Sequence, residues 1–260
     1  MDQAERRQYL IRYLLSENPE YKDTAIPADE YGQKRLLRSL FNVRLPGAIG
    51  EDFLAVQDEY LREAIREKGI TDASSLAPAA PGVYLWQGDI TTLKCGAIVN
   101  AANSGMTGCY VPCHNCIDNC IHTYAGMQLR NFCAGIMQKQ GREEPTGQAK
   151  LTPAFDLPCK YVIHTVGPIV QGRLRDAHRA QLAACYRACL EAADSVGTDS
   201  IAFCCISTGV FGFPQKAAAE VAVRTVKEYK NETGSAIEVI FNVFKDEDLA
   251  IYRELLGQYQ

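Results

Sequence analysis

The sequence predicts an α/β protein: a three-layer α/β/α domain around a mixed, largely parallel sheet, with a helical extension in front. Three observations predict it. Apolar residues recur three and four apart over residues 1 to about 70, the spacing of amphipathic helices. The Ala-, Ser- and Pro-rich segment "TDASSLAPAAPG" (71–82) interrupts that pattern. Beyond it, short β-branched apolar runs alternate with longer helical stretches, as in a parallel sheet covered on both faces.

The elements follow in order. "RRQYLIRYLLSE" sets Leu10, Tyr13 and Leu14 on one face. "DEYGQKRLLRSLFN" aligns Leu36, Leu37, Leu40 and Phe41, and "FLAVQDEYLREAIREKG" aligns Phe53, Tyr60, Leu61 and Ile65. Strands are expected at "VYLW" (83–86), "AIVN" (97–100), "KYVIHTV" (160–166), "SIAFCCIS" (200–207) and "IEVIFNVF" (237–244). Helices are expected over about 117–139, at 178–197, at 214–231 and at "DEDLAIYRELLGQY" (246–259). The expected division is a helical extension over 1–75 and the α/β domain over 83–260, with the ligand crevice at the carboxyl ends of the strands.

Composition narrows the function classes. Hydrophobic content of 47% with 22% charged residues describes an ordinary globular chain of 260 residues. A net charge of −4 gives no basic stripe for nucleic acid. No apolar run approaches the roughly 20 residues that span a bilayer, and the opening stretch has no apolar signal core. An intracellular, cytoplasmic protein without membrane or nucleic-acid partners is expected, and its thiols should stay reduced. That expectation argues against a disulfide knot in "GCYVPCHNCIDNCIH" (108–122), which packs four cysteines and two histidines into fifteen residues.

Two strand-end loops carry further chemistry. After the first strand comes Gly88-Asp89-Ile90, and the second runs into Asn100-Ala-Ala-Asn103. An acid at a strand end can accept from an exocyclic amine, and short amides can grip sugar hydroxyls. The plainer alternative is that Asp89 and Asn103 only cap turns. The loop "ISTGVFGFP" (206–214) frees backbone amides at two glycines ahead of a helix, an anion cradle without a lysine. Phe211 and Phe213 beside it could pack on a sugar or base.

Taken together, Gly88-Asp89-Ile90, Asn100 to Asn103, "IDNCIHTYAG" and "STGVFGFP" resemble the macrodomain family of ADP-ribose-binding modules, in its protein-mono-ADP-ribose hydrolase branch. The resemblance covers roughly 83–260. It implies that Asp89 and Ile90 meet the adenine, and that Ser207, Thr208, Gly209, Val210, Phe211, Gly212 and Phe213 form the diphosphate and ribose loop. It further implies that Asn100 and Asn103 lie near the distal ribose, and that Phe244 stacks on adenine. Asn103 and Asp118 are the implied catalytic residues.

The usual glycine-rich catalytic loop is replaced here by Cys109, Cys113, His114 and Cys116, which looks like the zinc-containing subfamily with its N-terminal helical extension. Three ligands, Cys109, His114 and Cys116, leave a fourth position of Zn2+ open for water or substrate. Cys113 or Cys120 could instead close the site into a structural knuckle. His122, His164, Cys185, Cys189, Cys204 and Cys205 are read as core. The expected function is zinc-dependent removal of mono-ADP-ribose from Asp/Glu side chains. The alternatives are a non-catalytic ADP-ribose reader with structural zinc and an O-acetyl-ADP-ribose deacetylase. The resemblance also suggests a sirtuin-like ADP-ribosyltransferase partner.

Overall fold

The computed structural model describes residues 1–21 and 23–257. Three helices come first: α1 (Gln3–Ser16), α2 (Glu30–Val43) and α3 (Glu51–Lys68). Asp2 and Glu5 cap α1 reciprocally, and Asp29 caps α2 by accepting from the Gly32 amide. Their apolar faces close on one another around Leu10, Ile11, Leu37, Phe41, Phe53 and Leu61. This bundle is stitched to the rest of the chain, because Met127 enters its core while Ile65 of α3 enters the core of the sheet.

The strands are β1 (Thr71–Asp72), β2 (Pro78–Ala80), β3 (Val83–Gln87), β4 (Leu93–Lys94) and β5 (Ala97–Ala102). They continue with β6 (Ala149–Pro153), β7 (Tyr161–Val166), β8 (Ser200–Phe203) and β9 (Glu238–Val243). The main sheet runs β2-β3-β9-β8-β5-β7-β6, and β1 pairs separately with β4. Strands β3, β9, β8, β5 and β7 are parallel, and antiparallel β2 and β6 close the two edges. Five strand ends therefore meet at one rim. Helices α4 (Ile117–Ala125) and α5 (Met127–Gln140) lie between the sheet and the N-terminal bundle. Helices α6 (Asp176–Ser195), α7 (Gln215–Thr233) and α8 (Asp246–Gly257) pack on one another and on the sheet. The three-layer α/β architecture with a mixed, mostly parallel sheet and a helical extension is therefore present.

Four expectations on element boundaries are corrected. The helix read over 117–139 is two helices, because Gly126 takes φ +86, a left-handed backbone that a helix interior does not accommodate. The strand read to 207 ends at Phe203, where Cys204 to Ser207 turn into a loop. Segment 71–82 is not a bare boundary: it supplies β1 and β2, with Pro78 tolerated because β2 is an edge strand. Edge strand β6 is not expected from the sequence, because "AKLTP" carries too few β-branched or apolar residues to mark a strand. The last helix reaches Gly257, and the part of that expectation over 258–259 lies outside the described residues.

Asp156 marks the seam between α3 and the sheet domain. Its side chain is 1% exposed and lies 2.9 Å from Nε of Arg62 on α3. Burial and then Asp58 push its carboxyl up to about 8, against the pull of Arg62. A carboxyl raised on folding contributes stability that is complete below its unfolded value of about 4 and lost as pH rises through its folded value. Urea unfolding of the wild type should lose stability between pH 5 and pH 8.5 more steeply than Asp156→Asn does. Parallel slopes would show that this seam does not titrate.

Candidate active site

At the rim, Asp89 follows β3. Its Oδ1 accepts from the Thr91 amide at 3.0 Å and the Thr91 hydroxyl at 2.6 Å. Its Oδ2 accepts from Lys68 Nζ at 2.8 Å. Lys68 is the last residue of α3, and its ammonium sits 3.3 Å from the centroid of the Tyr124 ring. Burial raises the Asp89 carboxyl, but Lys68 and Thr91 outweigh it and hold the group below its usual range. Asp89 is thus an ionised acceptor with one lone pair of Oδ2 to spare. The Ile90 side chain is buried in the core, so only its backbone can face a ligand.

Beneath the rim, β5 and β7 place Asn100 opposite His164. Asn100 Nδ2 donates to Asp118 Oδ1 at 2.8 Å and lies 3.0 Å from His164 Nδ1. Because an amide nitrogen only donates, Nδ1 is assigned as the acceptor, and Nε2–H points to Thr152 Oγ1 at 3.0 Å. Burial pushes His164 down to about 3 and keeps it neutral. Asn100 is fully buried, which corrects its expected place at a sugar: it holds Asp118 from below. Asn103 Nδ2 donates to the other carboxylate oxygen, Asp118 Oδ2, at 3.1 Å and to the Gly108 carbonyl at 3.1 Å. Burial pushes the Asp118 carboxyl up to about 6, against the hydrogen bond from Asn100, the charge of Arg130 and the hydrogen bond from Asn103. His122 is also buried, 3.6 Å from Asp118 Oδ1. Gly108, at φ +88, leaves it room, since a Cβ there would stand 2.8 Å from the ring. His122, Cys133 and His164 form a second close group of metal-type donors, but Asn100 and Thr152 already occupy both ring nitrogens of His164.

The loop after β5 brings Cys109, His114 and Cys116 together, with donor atoms within 4.8 Å of one another. Cys109 Sγ stands 3.6 Å from His114 Nδ1. Tetrahedral zinc, with bonds of about 2.3 Å to sulfur and about 2.0 Å to nitrogen, separates two such donors by about 3.6 Å. The donor set fits zinc in chemistry and spacing. Burial, together with Cys109 and Asp118, pushes the Cys116 thiol up to about 12, a penalty that a divalent cation between the sulfurs removes. Cys113 faces away: its Sγ lies 3.2 Å from Ser39 Oγ and 3.4 Å from the Arg35 carbonyl, both on α2. Cys120 Sγ lies near Arg38. Neither cysteine completes a fourfold knuckle. All the cysteines are free thiols.

The loop after β8 lies on the same rim. Ser207 takes φ +66, Gly212 takes φ +69, and the turn closes through Gly212 N–H to Gly209 O at 3.0 Å. Among the described residues the amides of Gly209, Val210 and Phe211 make no hydrogen bond, and no side chain caps α7, which begins just beyond. Thr208 Oγ1 donates to the Cys205 carbonyl at 2.9 Å. Val210 is exposed and Phe211 half-buried, whereas Phe213 is buried in the main core. The expectation that Phe213 meets a ligand is therefore corrected: its ring anchors the loop from below. Phe244 stands on the rim, exposed.

Residues to which the sequence assigns no role hold this site. Asn119, Arg38, Asn42, Arg130 and Lys68 bind loop backbone or Asp89, and three of them come from the N-terminal helices. Nothing in the spacing of a single sequence connects helices 70 residues away to this loop.

Similarity to known proteins agrees with the geometry. The Macro domain model matches residues 99–222. A "Protein-ADP-ribose hydrolase" of Treponema medium is 60% identical over 99% of this chain and all of its own length. A protein of the same name from Staphylococcus aureus is 48% identical over 97% of this chain and 96% of its own. The Trypanosoma brucei macrodomain solved in complex with ADP-ribose is 29% identical, with a TM-score of 0.66, covering 85% of this chain and 95% of that one. An Oceanobacillus iheyensis macrodomain is 36% identical, with a TM-score of 0.62, over 68% of this chain and 91% of that one. Rim, loops and relatives agree, and the chain belongs to the macrodomain family.

Proposed function

We propose that this protein is a hydrolase that removes single ADP-ribose units from modified proteins, and that it uses zinc held by Cys109, His114 and Cys116 to do so. The observation that carries the zinc reading is the three-donor set with Cys113 turned away, which leaves a coordination position for the reaction. The printed names of the Treponema and Staphylococcus relatives support the hydrolase reading. We further propose that the preferred linkage is an ester to Asp or Glu.

Asp89 would accept the adenine 6-amino group, beside the backbone of Ile90. The free amides of 209–211 and the uncapped start of α7 would take the diphosphate, with Ser207 and Thr208 shaping the turn and Phe211 against the distal ribose. Asn103 would orient that ribose. Bound zinc supplies Lewis acidity, which lowers the pKa of a water toward about 7 or polarises a hydroxyl. Cleavage forms a bond from water oxygen to the anomeric carbon and breaks the bond to the side-chain oxygen. That carboxylate leaves with the bonding pair, and Asp118 takes the proton of the water on Oδ2, the oxygen turned toward Asn103. Asn100, backed by His164, keeps Oδ1 fixed while this happens. Binding of the remote adenosine diphosphate holds the reacting carbon in place.

The test is release of ADP-ribose by zinc-quantified protein from three substrates: a protein modified on Asp or Glu, one modified on Arg, and O-acetyl-ADP-ribose. Catalytic turnover fastest on the first is expected. Binding without turnover would establish a reader, and a preference for the small ester would establish a deacetylase. The Lys68 contact adds a second expectation. Lys68→Met should weaken ADP-ribose binding about three- to tenfold in calorimetry and leave kcat unchanged, because Asp89 loses the partner that orients its Oδ2. Unchanged affinity would show that Asp89 acts without Lys68.

A further inference from the structure

We infer that helix α2 is the template of the metal loop: Arg38 and Asn42 set the three donor atoms in place before any metal arrives. The N-terminal bundle is on this account a positioning element of the site. The inference rests on reading that loop as a zinc site.

A helix that merely packed against the loop would touch it through apolar side chains and leave its turns to local sequence. Here the contacts are polar, and they fall on the loop backbone between the ligands. Asn42 Oδ1 accepts from the Cys113 amide at 2.8 Å. Arg38 Nη2 donates to the His114 carbonyl at 2.7 Å and to Asn119 Oδ1 at 3.1 Å. Asn119 in turn donates to the carbonyls of Cys109 at 3.2 Å and Val111 at 3.0 Å. One chain of bonds thus runs from α2 to the backbone of two ligand residues, Cys109 and His114.

The contact at Cys113 matters because that residue adopts φ +53, a backbone that non-glycine residues rarely take. Asn42 holds it there, and Ser39 and Arg35 take its sulfur. The left-handed turn reverses the chain so that His114 faces Cys109, and the sulfur of Cys113 is held on α2. Asn42 also donates to Thr123 Oγ1 at 2.9 Å, on the helix that begins beside Cys116. The third ligand is therefore referred to the same side chain.

Arg130 locks the arrangement from α5. Its Nη1 donates to the carbonyls of Phe41, Asn42 and Arg44 at the end of α2, and its Nε donates to Thr107 O at 2.9 Å. The cation satisfies carbonyls that a helix end leaves open and ties α2 to the first residues of the loop. Outer partners that fix metal ligands in this way commonly carry a 10- to 100-fold share of metal affinity.

The experiment measures zinc affinity of the full-length protein by competition with a chromophoric chelator, with hydrogen exchange of the zinc-free form alongside. Arg38→Met and Asn42→Ala are expected to bind zinc about 10- to 100-fold more weakly, and Arg38→Lys to recover part of the loss. Ile11→Val, which loosens the core of the same bundle, is expected to match the wild type. The Cys113 amide is expected to be protected from exchange in the zinc-free wild type. Equal affinities across all five proteins would overturn the template while leaving the zinc site intact. An equal loss in Ile11→Val would overturn it too, by reducing the role of α2 to general stability. An unprotected Cys113 amide in the zinc-free wild type would overturn it without recourse to any variant. A wild type that takes up no zinc would instead sink the zinc reading, and the inference with it.

Discussion

Cys116→Ala should release zinc and lower turnover of a mono-ADP-ribosylated protein by roughly 10²- to 10³-fold, the scale of losing one preorganised stabiliser at the reacting atoms. ADP-ribose affinity should stay within about threefold. Asp89 and the amides of 209–211 are separate from the metal loop, and most binding comes from the part of the ligand that does not react. Cys113→Ser gives the contrast. Its side chain faces Ser39 and Arg35, so the variant should keep one zinc and most of its turnover. The measurements are metal content by atomic emission and single-turnover release of labelled ADP-ribose. Full activity in a Cys116→Ala protein shown to hold no zinc would refute the metal's part in the reaction. Loss of zinc in Cys113→Ser would show that Cys113 is a fourth ligand.

Asp118→Asn should be nearly as damaging to turnover, about 10²- to 10⁴-fold, because it removes the proton acceptor while leaving zinc and ligand binding in place. The two carboxylate oxygens each accept from one amide, Asn100 on Oδ1 and Asn103 on Oδ2. An asparagine at this position presents an NH2 group to one of those donors and loses that bond, about 1 kcal/mol. The substitution also removes a buried charge, which offsets the loss. Stability should therefore move little while rate falls steeply, and calorimetry beside single-turnover kinetics reads the two apart. A variant that keeps its rate would move the proton-accepting role away from this residue.

The parts of the site that were legible in sequence share a property. Asp89, Asn103, the 206–214 loop and the Cys-His-Cys spacing are each contained within a few consecutive residues at a strand end, where local chain geometry and residue type carry the information. Asn100 and Phe213 also sit in those motifs, yet the structure turns both inward. Asn100 lies on a strand covered on both faces and Phe213 lies in a loop, and residue type alone does not say that either side chain is buried. Gly126 divided what read as one helix for a related reason. Helical periodicity continues across a break when both halves pack on the same sheet.

The sequence by itself determined the class of the protein and the stock of its chemistry: alternating strands and helices, a lysine-free glycine loop, and four metal-type donors within eight residues. Only the tertiary structure decided what that stock can do. Whether Cys113 joins the metal depends on Ser39 and the backbone of Arg35, more than 70 residues earlier in the chain. Whether Asp89 finds a cation depends on Lys68 at the end of α3, and whether Asp118 is held depends on a strand pairing that sets Asn100 against His164. These are hydrogen bonds and ion pairs that act over about 3 Å between segments far apart in sequence. They exist only once the helices have packed on the sheet, which is why the contacts of α2 with the Cys-His-Cys loop have no signature in the sequence.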